Sequence, residues 1–421
     1  MAIKYTIPRG TFDVLPKDSY KWEIIEAKFR HIATRFGYRE IITPIFEHAE
    51  VFERSVGDSS DIVQKEMYRF TDRKGRIFAL RPEGTAPVIR SYVENNLGQD
   101  NQIAKLFYIG PMFRYDRPQA GRSRQFSQFG IECIGTNNPY YDAETIQVFY
   151  VFLKDLGLKN FSVEVNSVGC ESCSQTYNQA LIKYFEPHLD ALCNDCKNRL
   201  NNNPKRLLDC KIKTCQAITK NAPIMIDYLD DNCKEHFQQV QNYLKIMKVP
   251  FTVNPHIVRG LDYYTNTAFE FINNNLGAQN ALGGGGRYNK LVEQFGGKHT
   301  PSVGFAGGTT RLLLSMENEN LLDGLEPFPV VYFIALGDNA KIKAIEMVSW
   351  LRQNNIHVEF DLDRTSLKSQ LKNADRLNAS YAFILGEDEL NKNICLQKNL
   401  KTGEQIELPL DNYRELYSMN L

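Results

Sequence analysis

The stretch AKLFYIGPMFRYDRPQAGRSRQFSQFGIECI, residues 104–134, carries the clearest fold signal of the chain. Two halves rich in strand-forming residues are joined by the loop RPQAGRS, which predicts a β-hairpin. Because side chains alternate between the faces of a strand, the second half is expected to present Phe126, Gln128, Gly130 and Glu132 on one face. That face combines an aromatic platform, an amide and a carboxylate.

The connection between the two halves is basic. It holds four arginines and one acidic residue, namely Arg114, Arg117, Arg122, Arg124 and Asp116. A guanidinium group donates two parallel charged hydrogen bonds and therefore suits phosphate. These residues alone leave two interpretations open: a phosphate site, or a salt-bridged hairpin with a solvated loop.

Composition bounds the class of protein. The chain has 421 residues, 43% of them hydrophobic, and its 50 basic side chains balance 50 acidic ones. At roughly 100–200 residues per domain, this length predicts about two to four domains. Zero net charge excludes a wholly basic nucleic-acid binder but permits a local basic patch. No signal sequence and no run of about 18 apolar residues is visible, so we expect a cytoplasmic protein without a membrane span.

Local patterns predict several elements of the first part of the chain. Residues 18–37 carry apolar side chains at spacings of three and four, which predicts an amphipathic helix. Residues 76–81 predict a strand, and Thr85 is expected to cap the helix that follows. The four consecutive glycines at 283–286 predict a turn.

The middle and last parts of the chain differ from the first. Residues 170–248 are rich in cysteine and asparagine, with helical patterning that indicates an insertion. From residue 329 onward, strands alternate with helices, which predicts a compact α/β domain whose last strand lies near residues 394–399.

Three further motifs combine glycine with arginine or tyrosine. They are VRGLDYY at 258–264, GGGGRYNKL at 283–291 and GGTTR at 307–311. Glycine allows a backbone to approach a ligand closely. Neither a dinucleotide fingerprint nor a P-loop is present, so each motif alone is weak support for a ligand site.

In their order along the chain, these motifs resemble the histidyl-tRNA synthetase family of class II aminoacyl-tRNA synthetases. The resemblance covers nearly the whole chain, and the RGLDYY segment is specific to that family. The segments that carry it are PRGTFDVLP (8–16), YREIITPIFE (38–47, the dimer-forming motif 1), RPEGTAPVIR (81–90), GPMFRYDRPQAGRSRQFSQFGIE (110–132, motif 2), VRGLDYYTNTAFE (258–270), GGGRYNKLV (284–292) and the Arg311 segment (motif 3).

The resemblance implies an α+β class II catalytic core, an antiparallel sheet flanked by helices, formed by residues 1–169 and 249–325. Residues 170–248 are then a mainly helical, cysteine-rich insertion, and residues 328–421 an α/β anticodon-binding domain. The implied activity is histidine–tRNA ligation in the cytoplasm by a homodimer. L-Histidine is activated with ATP and Mg²⁺ to histidyl-adenylate, and the histidyl group is then transferred to histidine tRNA.

The resemblance also implies roles for individual residues. Arg259 and Arg114 would be catalytic; ATP would be bound by Arg114, Arg122, Phe126 and Arg311. Histidine would be bound by Glu83, Thr85, Gln128, Glu132, Tyr263, Tyr264 and Tyr288. Arg117 and Gln119 match positions that read the extra 5′ guanosine of histidine tRNA.

A second function stays open at this point: a non-catalytic, histidine-binding regulatory paralogue of an ATP phosphoribosyltransferase. Such paralogues share the catalytic-domain fold but usually lack the RGLDYY arginine and the anticodon-binding domain. This sequence has Arg259 and continues for about 95 residues beyond the core, which favours the enzyme.

Seven of the nine cysteines lie between Cys170 and Cys233. A four-thiolate zinc site is predicted from the spacing Cys170-x₂-Cys173 and Cys193-x₂-Cys196. Cys210 and Cys215 supply an alternative second pair. The competing interpretation is that the cysteines are simply buried as small hydrophobic side chains. The resemblance favours this interpretation, because the histidyl-tRNA synthetase family does not generally depend on zinc.

Overall fold

The computed structural model describes residues 5–56, 62–99, 102–119, 121–208, 210, 212–257, 263–325 and 330–410. The chain divides into two compact units, with the boundary between Asp323 and Gly324. The helices of the first unit are α1 (Pro16–Arg35), α2 (Ala49–Val56), α3 (Thr85–Glu94), α4 (Pro139–Asp155), α5 (Glu171–Phe185), α6 (Asn194–Asn202), α7 (Lys213–Thr219), α8 (Asp231–Ile246), α9 (Leu291–Gln294) and α10 (Thr309–Asn318). Its strands are β1 (Arg39–Glu40), β2 (Phe46–His48), β3 (Arg69–Thr71), β4 (Ile77–Leu80), β5 (Ala104–Phe113), β6 (Gln125–Ile134), β7 (Ser162–Ser167), β8 (Thr252–Val253), β9 (Thr265–Ile272), β10 (Ala281–Arg287) and β11 (Ser302–Gly308).

The predicted hairpin lies within a mainly antiparallel sheet. Within the described ranges this sheet has eight strands, in the order β1-β5-β6-β11-β10-β9-β7-β8. Strands β5 and β6 pair without interruption from Ala104 opposite Ile134 to Phe113 opposite Gln125. Only the short edge strands β1 and β8 run parallel to their neighbours. The predicted antiparallel core is therefore confirmed.

The glycines at 283–286 do not form the predicted turn. They lie inside β10, where Gly285 pairs with Phe269 of β9 and with Phe305 of β11. A Cβ atom on Gly285 would lie only 2.0 Å from the Gly304 carbonyl oxygen, so this strand accepts no side chain there. The glycines serve close strand packing rather than a chain reversal.

Helices α1 and α4 cover one face of the sheet, and aromatic side chains fill the space between. Phe29 of α1 is fully buried, and its ring centroid lies 4.8 Å from that of Phe129 on β6. Phe149 of α4 stacks on Phe305 of β11 with ring centroids 4.6 Å apart. The amphipathic helix predicted over residues 18–37 is thus confirmed as α1, with its apolar stripe towards the sheet.

Thr85 is not the N-cap of α3, contrary to the prediction. Gly84 occupies that position and has no side chain with which to cap. Instead the Glu83 carboxylate accepts hydrogen bonds from the backbone N–H groups of Thr85 (2.7 Å) and Ala86 (2.8 Å). A carboxylate at a helix N-terminus satisfies its unpaired donors and is favoured by the helix dipole.

The insertion is mainly helical, as predicted, and comprises α5 to α7 and the start of α8. It has its own small core, in which Tyr177, Leu181 and Phe185 pack with several cysteines. The later turns of α8 bury Phe237 and Val240 in the core of the catalytic sheet instead. Among the described residues, no helix has the length and apolar character needed to cross a membrane.

The second unit is the predicted α/β domain. Its elements are β12 (Val331–Ala335), α11 (Asp338–Gln353), β13 (Val358–Phe360), α12 (Leu367–Arg376), β14 (Tyr381–Leu385), α13 (Glu387–Asn391), β15 (Ile394–Asn399) and β16 (Gln405–Pro409). The strand order is β13-β12-β14-β15-β16, parallel for the first three strands and antiparallel for the rest. The strand near 394–399 is not the last one, because β16 follows it. This edge strand is largely exposed, but its sequence QIELP alternates polar and apolar residues, a signal that the prediction overlooked.

Candidate active site

A cavity of about 350 Å³ opens on the face of the sheet formed by β6, β9, β10 and β11. Most of the side chains that the sequence predicts for histidine and ATP surround this one cavity. Those lining it are Glu83, Thr85, Arg114, Arg122, Phe126, Gln128, Tyr263, Tyr264, Tyr288 and Arg311. A single site therefore brings together residues from five separate motifs.

Arginines concentrate positive charge in one region of the cavity. Arg114 lies 5.3 Å from the Phe126 ring centroid, and its Nε donates to the Pro82 carbonyl oxygen at 2.8 Å. Arg311, at the start of α10, donates from Nη1 to the Ala281 carbonyl oxygen at 2.8 Å. Burial lowers the pKa of Arg311, and the charges of Arg122 and Arg114 lower it further. Clustered cations of this kind favour a polyphosphate ligand.

Arg122 is held by carboxylates in this structure. Its Nε forms an ion pair with Asp116, and its Nη2 lies 3.5 Å from Glu66. Asp116 also accepts a hydrogen bond from the backbone N–H of Arg117. Any phosphate that binds Arg122 must therefore compete with Asp116, or share the guanidinium with it.

Glu132 lies behind the cavity wall, where it is 1% exposed and accepts a hydrogen bond from the Tyr288 hydroxyl. Burial raises the pKa of Glu132 to about 8, and the hydrogen bond from Tyr288 opposes this rise. A Cβ atom on Gly304 would lie 1.9 Å from the Glu132 carboxylate, so glycine is required on the neighbouring strand. The face predicted from alternation is confirmed for Phe126 and Gln128, whereas Glu132 reaches the cavity through Tyr288.

The remaining histidine-site candidates surround this acidic region. Burial raises the pKa of Glu83, and the backbone N–H groups of Ala86 and Thr85 oppose this. Tyr263 packs against Tyr264 with ring centroids 4.7 Å apart, and against Tyr288 at 5.6 Å. Carboxylates and hydroxyls suit a ligand that bears N–H groups.

Two candidates lie away from the cavity, and one lies outside the described residues. Arg117 and Gln119 are exposed on the loop between β5 and β6, where Gln119 and Arg122 form an isolated β-bridge. Arg259 falls within residues 258–262, which the structure does not describe.

Sequence reasoning missed two residues that the structure makes prominent. Glu270 on β9 lines the cavity, and its charge acts on Arg311. It is an acidic residue between Phe269 and Phe271 in an apolar strand, a signal that could have indicated it. Arg287 is fully buried and forms an ion pair with Asp142, with 3.0 Å between Nε and Oδ1.

The predicted set of four zinc-binding cysteines is wrong, because the structure divides it between two clusters. Cys193 and Cys196 meet Cys210 and Cys215, whereas Cys170 and Cys173 meet Cys233 and Asp230. Spacing along the chain identified the two C-x₂-C pairs but not their partners, which the course of the intervening helices determines.

The sheet, the motif 2 hairpin and the arginine-lined cavity define a class II aminoacyl-tRNA synthetase core. The histidyl-tRNA synthetase family model matches residues 10–312, and the anticodon binding domain model matches residues 330–417. This chain belongs to the histidyl-tRNA synthetase family.

Individual relatives agree along the full length. The histidine–tRNA ligase of Halothermothrix orenii is 49% identical over 408 residues, which is 97% of each chain. That of Bacillus licheniformis is 47% identical over 419 residues, 99% of each chain. The crystal structure of apo histidyl-tRNA synthetase from S. aureus superposes with a TM-score of 0.83 at 40% identity, and the match covers 98% of this chain and 99% of that one.

Proposed function

We propose that this chain activates L-histidine with ATP and esterifies histidine tRNA with the product. The observation that carries the proposal is one cavity with two chemically distinct regions. Arg114 and Phe126 lie near one end of β6, and Glu132 lies six residues further along it, a distance of about 20 Å in a strand. ATP and histidine together need a site of this length and this polarity.

The arginines serve the phosphate chemistry. In activation, a histidine carboxylate oxygen bonds to the α-phosphorus of ATP, the bond from that phosphorus to the β-phosphate oxygen breaks, and pyrophosphate leaves. Arg114 and Arg311 hold the phosphates, Phe126 stacks on adenine, and Arg122 assists after leaving Asp116. Fixed cations stabilise charge as it develops, without the reorganisation that water requires. Arg259 is proposed as a further catalytic cation on its sequence motif alone.

The carboxylates and tyrosines select the amino acid. Glu83 and Gln128 face the α-ammonium and imidazole groups of histidine, together with the hydroxyls of Thr85, Tyr263, Tyr264 and Tyr288, and Glu132 acts on the ligand through Tyr288. A site with many buried polar groups rejects an isostere that leaves them unpaired. The raised pKa of Glu132 favours its protonated form, and its hydrogen bond with Tyr288 couples this carboxyl to a hydroxyl that lines the cavity.

Magnesium is proposed to enter with ATP. Mg²⁺ prefers carboxylate and phosphate oxygens, and Glu270 and Asp116 provide carboxylates in the cavity wall beside the arginines. When bound, the ion neutralises charge on the phosphates and on the departing pyrophosphate.

Transfer to tRNA uses the exposed loop and the second unit. A terminal ribose hydroxyl of the tRNA attacks the carbonyl carbon of the adenylate, loses its proton, and displaces AMP. We propose that Arg117 and Gln119 contact the 5′ end of the tRNA, which their exposure supports. The second unit carries 11 basic and 13 acidic residues from 328 onward, so it binds the anticodon through a local patch and base stacking.

We propose that two copies form a homodimer through the three-stranded sheet β2-β4-β3 and the segment before it. This surface exposes large apolar side chains, including Ile42 (85% exposed) and Ile77 (54%), and the rings of Phe46 and Phe70 meet at 6.0 Å. Contiguous exposed apolar surface of this kind marks an interaction site. Ile42→Asp is expected to shift the chain to a monomer in sedimentation, whereas Ile246→Asp, also at an exposed isoleucine, leaves the dimer intact. An unchanged dimer in Ile42→Asp would exclude this surface.

We propose a catalytic core of residues 1–169 with 249–325, an insertion of residues 170–248 and an anticodon-binding domain of residues 328–421, and we propose that the protein acts in the cytoplasm. The family matches over 10–312 and 330–417 support the division between core and anticodon-binding domain. From Phe237 onward, the last part of the proposed insertion packs against the sheet and is structurally continuous with the core.

ATP–pyrophosphate exchange with a panel of amino acids tests the proposal directly. Exchange that depends on histidine and on no other amino acid is expected, followed by charging of histidine tRNA. Histidine binding without exchange would instead indicate the regulatory paralogue. Exchange with a different amino acid would exclude the proposed specificity.

A further inference from the structure

Among its described residues, the insertion contains two clusters of side chains that could bind a metal ion and that have no part in the proposed chemistry. In one, the sulfurs of Cys193, Cys196, Cys210 and Cys215 all lie within 4.8 Å of one another. In the other, the sulfurs of Cys170, Cys173 and Cys233 converge with a carboxylate oxygen of Asp230 within the same limit. We propose that each cluster binds one structural zinc ion.

Distances within the clusters fit a tetrahedral ion. Zinc–sulfur bonds of about 2.3 Å place the sulfurs of a tetrahedral site about 3.8 Å apart. The Sγ atoms of Cys193 and Cys210 are 4.0 Å apart, and those of Cys170 and Cys173 are 3.5 Å apart. Shifts of a few tenths of an ångström would therefore admit an ion to either cluster. An iron–sulfur cluster interposes several atoms between its cysteines, so sulfurs this close fit a single ion.

Backbone groups already point at the sulfurs. In the four-cysteine cluster, the N–H of Cys193 donates to Cys215 Sγ at 3.3 Å, and the N–H of Cys196 donates to Cys193 Sγ at 3.5 Å. In the other, the N–H of Asp230 donates to Cys173 Sγ at 3.1 Å. A neutral thiol is a weak acceptor, whereas metal-bound thiolates are oriented and stabilised by such outer donors.

The four-cysteine cluster holds together the least regular part of the insertion. Cys193 and Cys196 begin α6, which has 9 residues, and Cys215 lies in α7, which has 7. Helices this short are marginal without tertiary support. Since Cys196 and Cys215 are fully buried between them, a zinc ion would provide the support that a larger apolar core gives elsewhere.

The second cluster joins the beginning of the insertion to its end. Cys170 and Cys173 lie at the N-terminus of α5, and Asp230 and Cys233 lie at the N-terminus of α8. Asp230 Oδ1 accepts from the Cys233 N–H at 2.8 Å, while Oδ2 lies 3.1 Å from Cys170 Sγ. Oδ1 caps α8, which leaves Oδ2 to complete a tetrahedral set of ligands with the three sulfurs. An ion here would fix the insertion at its base, where α8 continues into the core of the catalytic unit.

Ordinary burial explains the other two cysteines of the chain. Cys133 and Cys395 are buried in separate strands and belong to neither cluster. Small apolar packing is sufficient for a cysteine in that position. They therefore provide controls of the same residue type.

Metal analysis of the full chain, purified without chelators, tests the proposal independently of activity. We expect about two zinc ions per chain in the wild type, about one in Cys215→Ala or Cys233→Ala, and two in the control Cys395→Ala. Asp230→Asn should also lose one ion. Substitution with cobalt(II) should give visible absorption typical of tetrahedral thiolate sites, with the stronger thiolate charge-transfer band lost in Cys215→Ala.

If a variant fails to fold, the wild-type chain still decides the matter. Removing zinc with a chelator should lower the melting temperature of the insertion, and zinc but not magnesium should restore it. A zinc-to-chain ratio near zero in a normally folded protein would overturn both sites. A ratio near one that disappears in Cys215→Ala and persists in Cys233→Ala would support the four-cysteine site and overturn the other.

Discussion

Replacing Glu132 with glutamine should stabilise the protein while impairing its activity. Burial raises the pKa of this carboxyl from 4.5 to about 8, so the folded chain holds a proton at pH 7 that the unfolded chain releases. Each pH unit between the two pKa values costs about 1.4 kcal/mol of folding free energy. The cost is then about 3 kcal/mol at pH 7 and about 5 kcal/mol above pH 8. Glutamine has nearly the same shape, never ionises, and can still accept from Tyr288.

The direction with pH follows from the raised pKa of Glu132. The contribution of this carboxyl to folding stability is most favourable below about pH 4.5 and is lost as the pH rises towards 8. We expect the free energy of unfolding of Glu132→Gln, measured with denaturant on the full chain, to rise relative to that of the wild type by about 1.4 kcal/mol per pH unit from pH 5. The difference should level off near pH 8. Glu23→Gln, at an exposed position on α1, serves as the control and should follow the wild type.

Histidine activation should be slower in Glu132→Gln, although the variant is more stable. Glutamine supplies neither the acidic proton nor the negative charge of the carboxyl behind Tyr288, so we expect roughly a 10- to 100-fold loss in ATP–pyrophosphate exchange, equivalent to about 1.5–3 kcal/mol. Unfolding curves of Glu132→Gln and wild type that run parallel from pH 5 to pH 8.5 would refute the buried proton. Unimpaired exchange in the variant would remove Glu132 from histidine recognition.

Three further variants test other parts of the molecule. Arg259→Ala should lower the rate of ATP–pyrophosphate exchange about 10²–10³-fold, mostly in kcat, and an unchanged rate would remove it from the mechanism. Alanine at both Arg117 and Gln119 should leave ATP–pyrophosphate exchange near the wild-type rate while aminoacylation falls. Equal losses in the two assays would indicate that the loop contacts ATP instead of tRNA. Asp142→Asn should cost about 3–5 kcal/mol in denaturant unfolding, because Arg287 stays buried with its charge uncompensated. A loss below about 1 kcal/mol would contradict that role.

The sequence predicted the elements whose signals are local. The stripe of α1 and the alternation in β6 are visible in short windows, because each element buries one face. The glycines of β10 gave the wrong prediction for a physical reason. Glycine locally favours turns, and only the neighbouring strands β9 and β11 impose the extended form.

The composition of the site followed from motifs, but its contacts did not. The capping of α3 by Glu83 rather than Thr85 depends on where the chain turns before the helix. The division of the cysteines into two clusters depends on how α5 to α8 return to the core. Both outcomes depend on tertiary structure, and spacing carries no information about them.

Arg287 and Tyr288, at the end of β10, link the proposed histidine pocket to the insertion. Consecutive residues near a strand end point to opposite sides. Tyr288 reaches Glu132 beside the cavity, whereas Arg287 binds Asp142 on α4 behind the sheet. Burial would raise the pKa of Asp142, but the charge and hydrogen bonds of Arg287 together with His236 outweigh it and hold that pKa below its usual range. His236, on α8, lies 3.4 Å from the same carboxylate. Because α8 also ends the insertion, a displacement of that helix would disturb the ion pair that fixes β10, and with it the tyrosine that holds the Glu132 carboxyl in place.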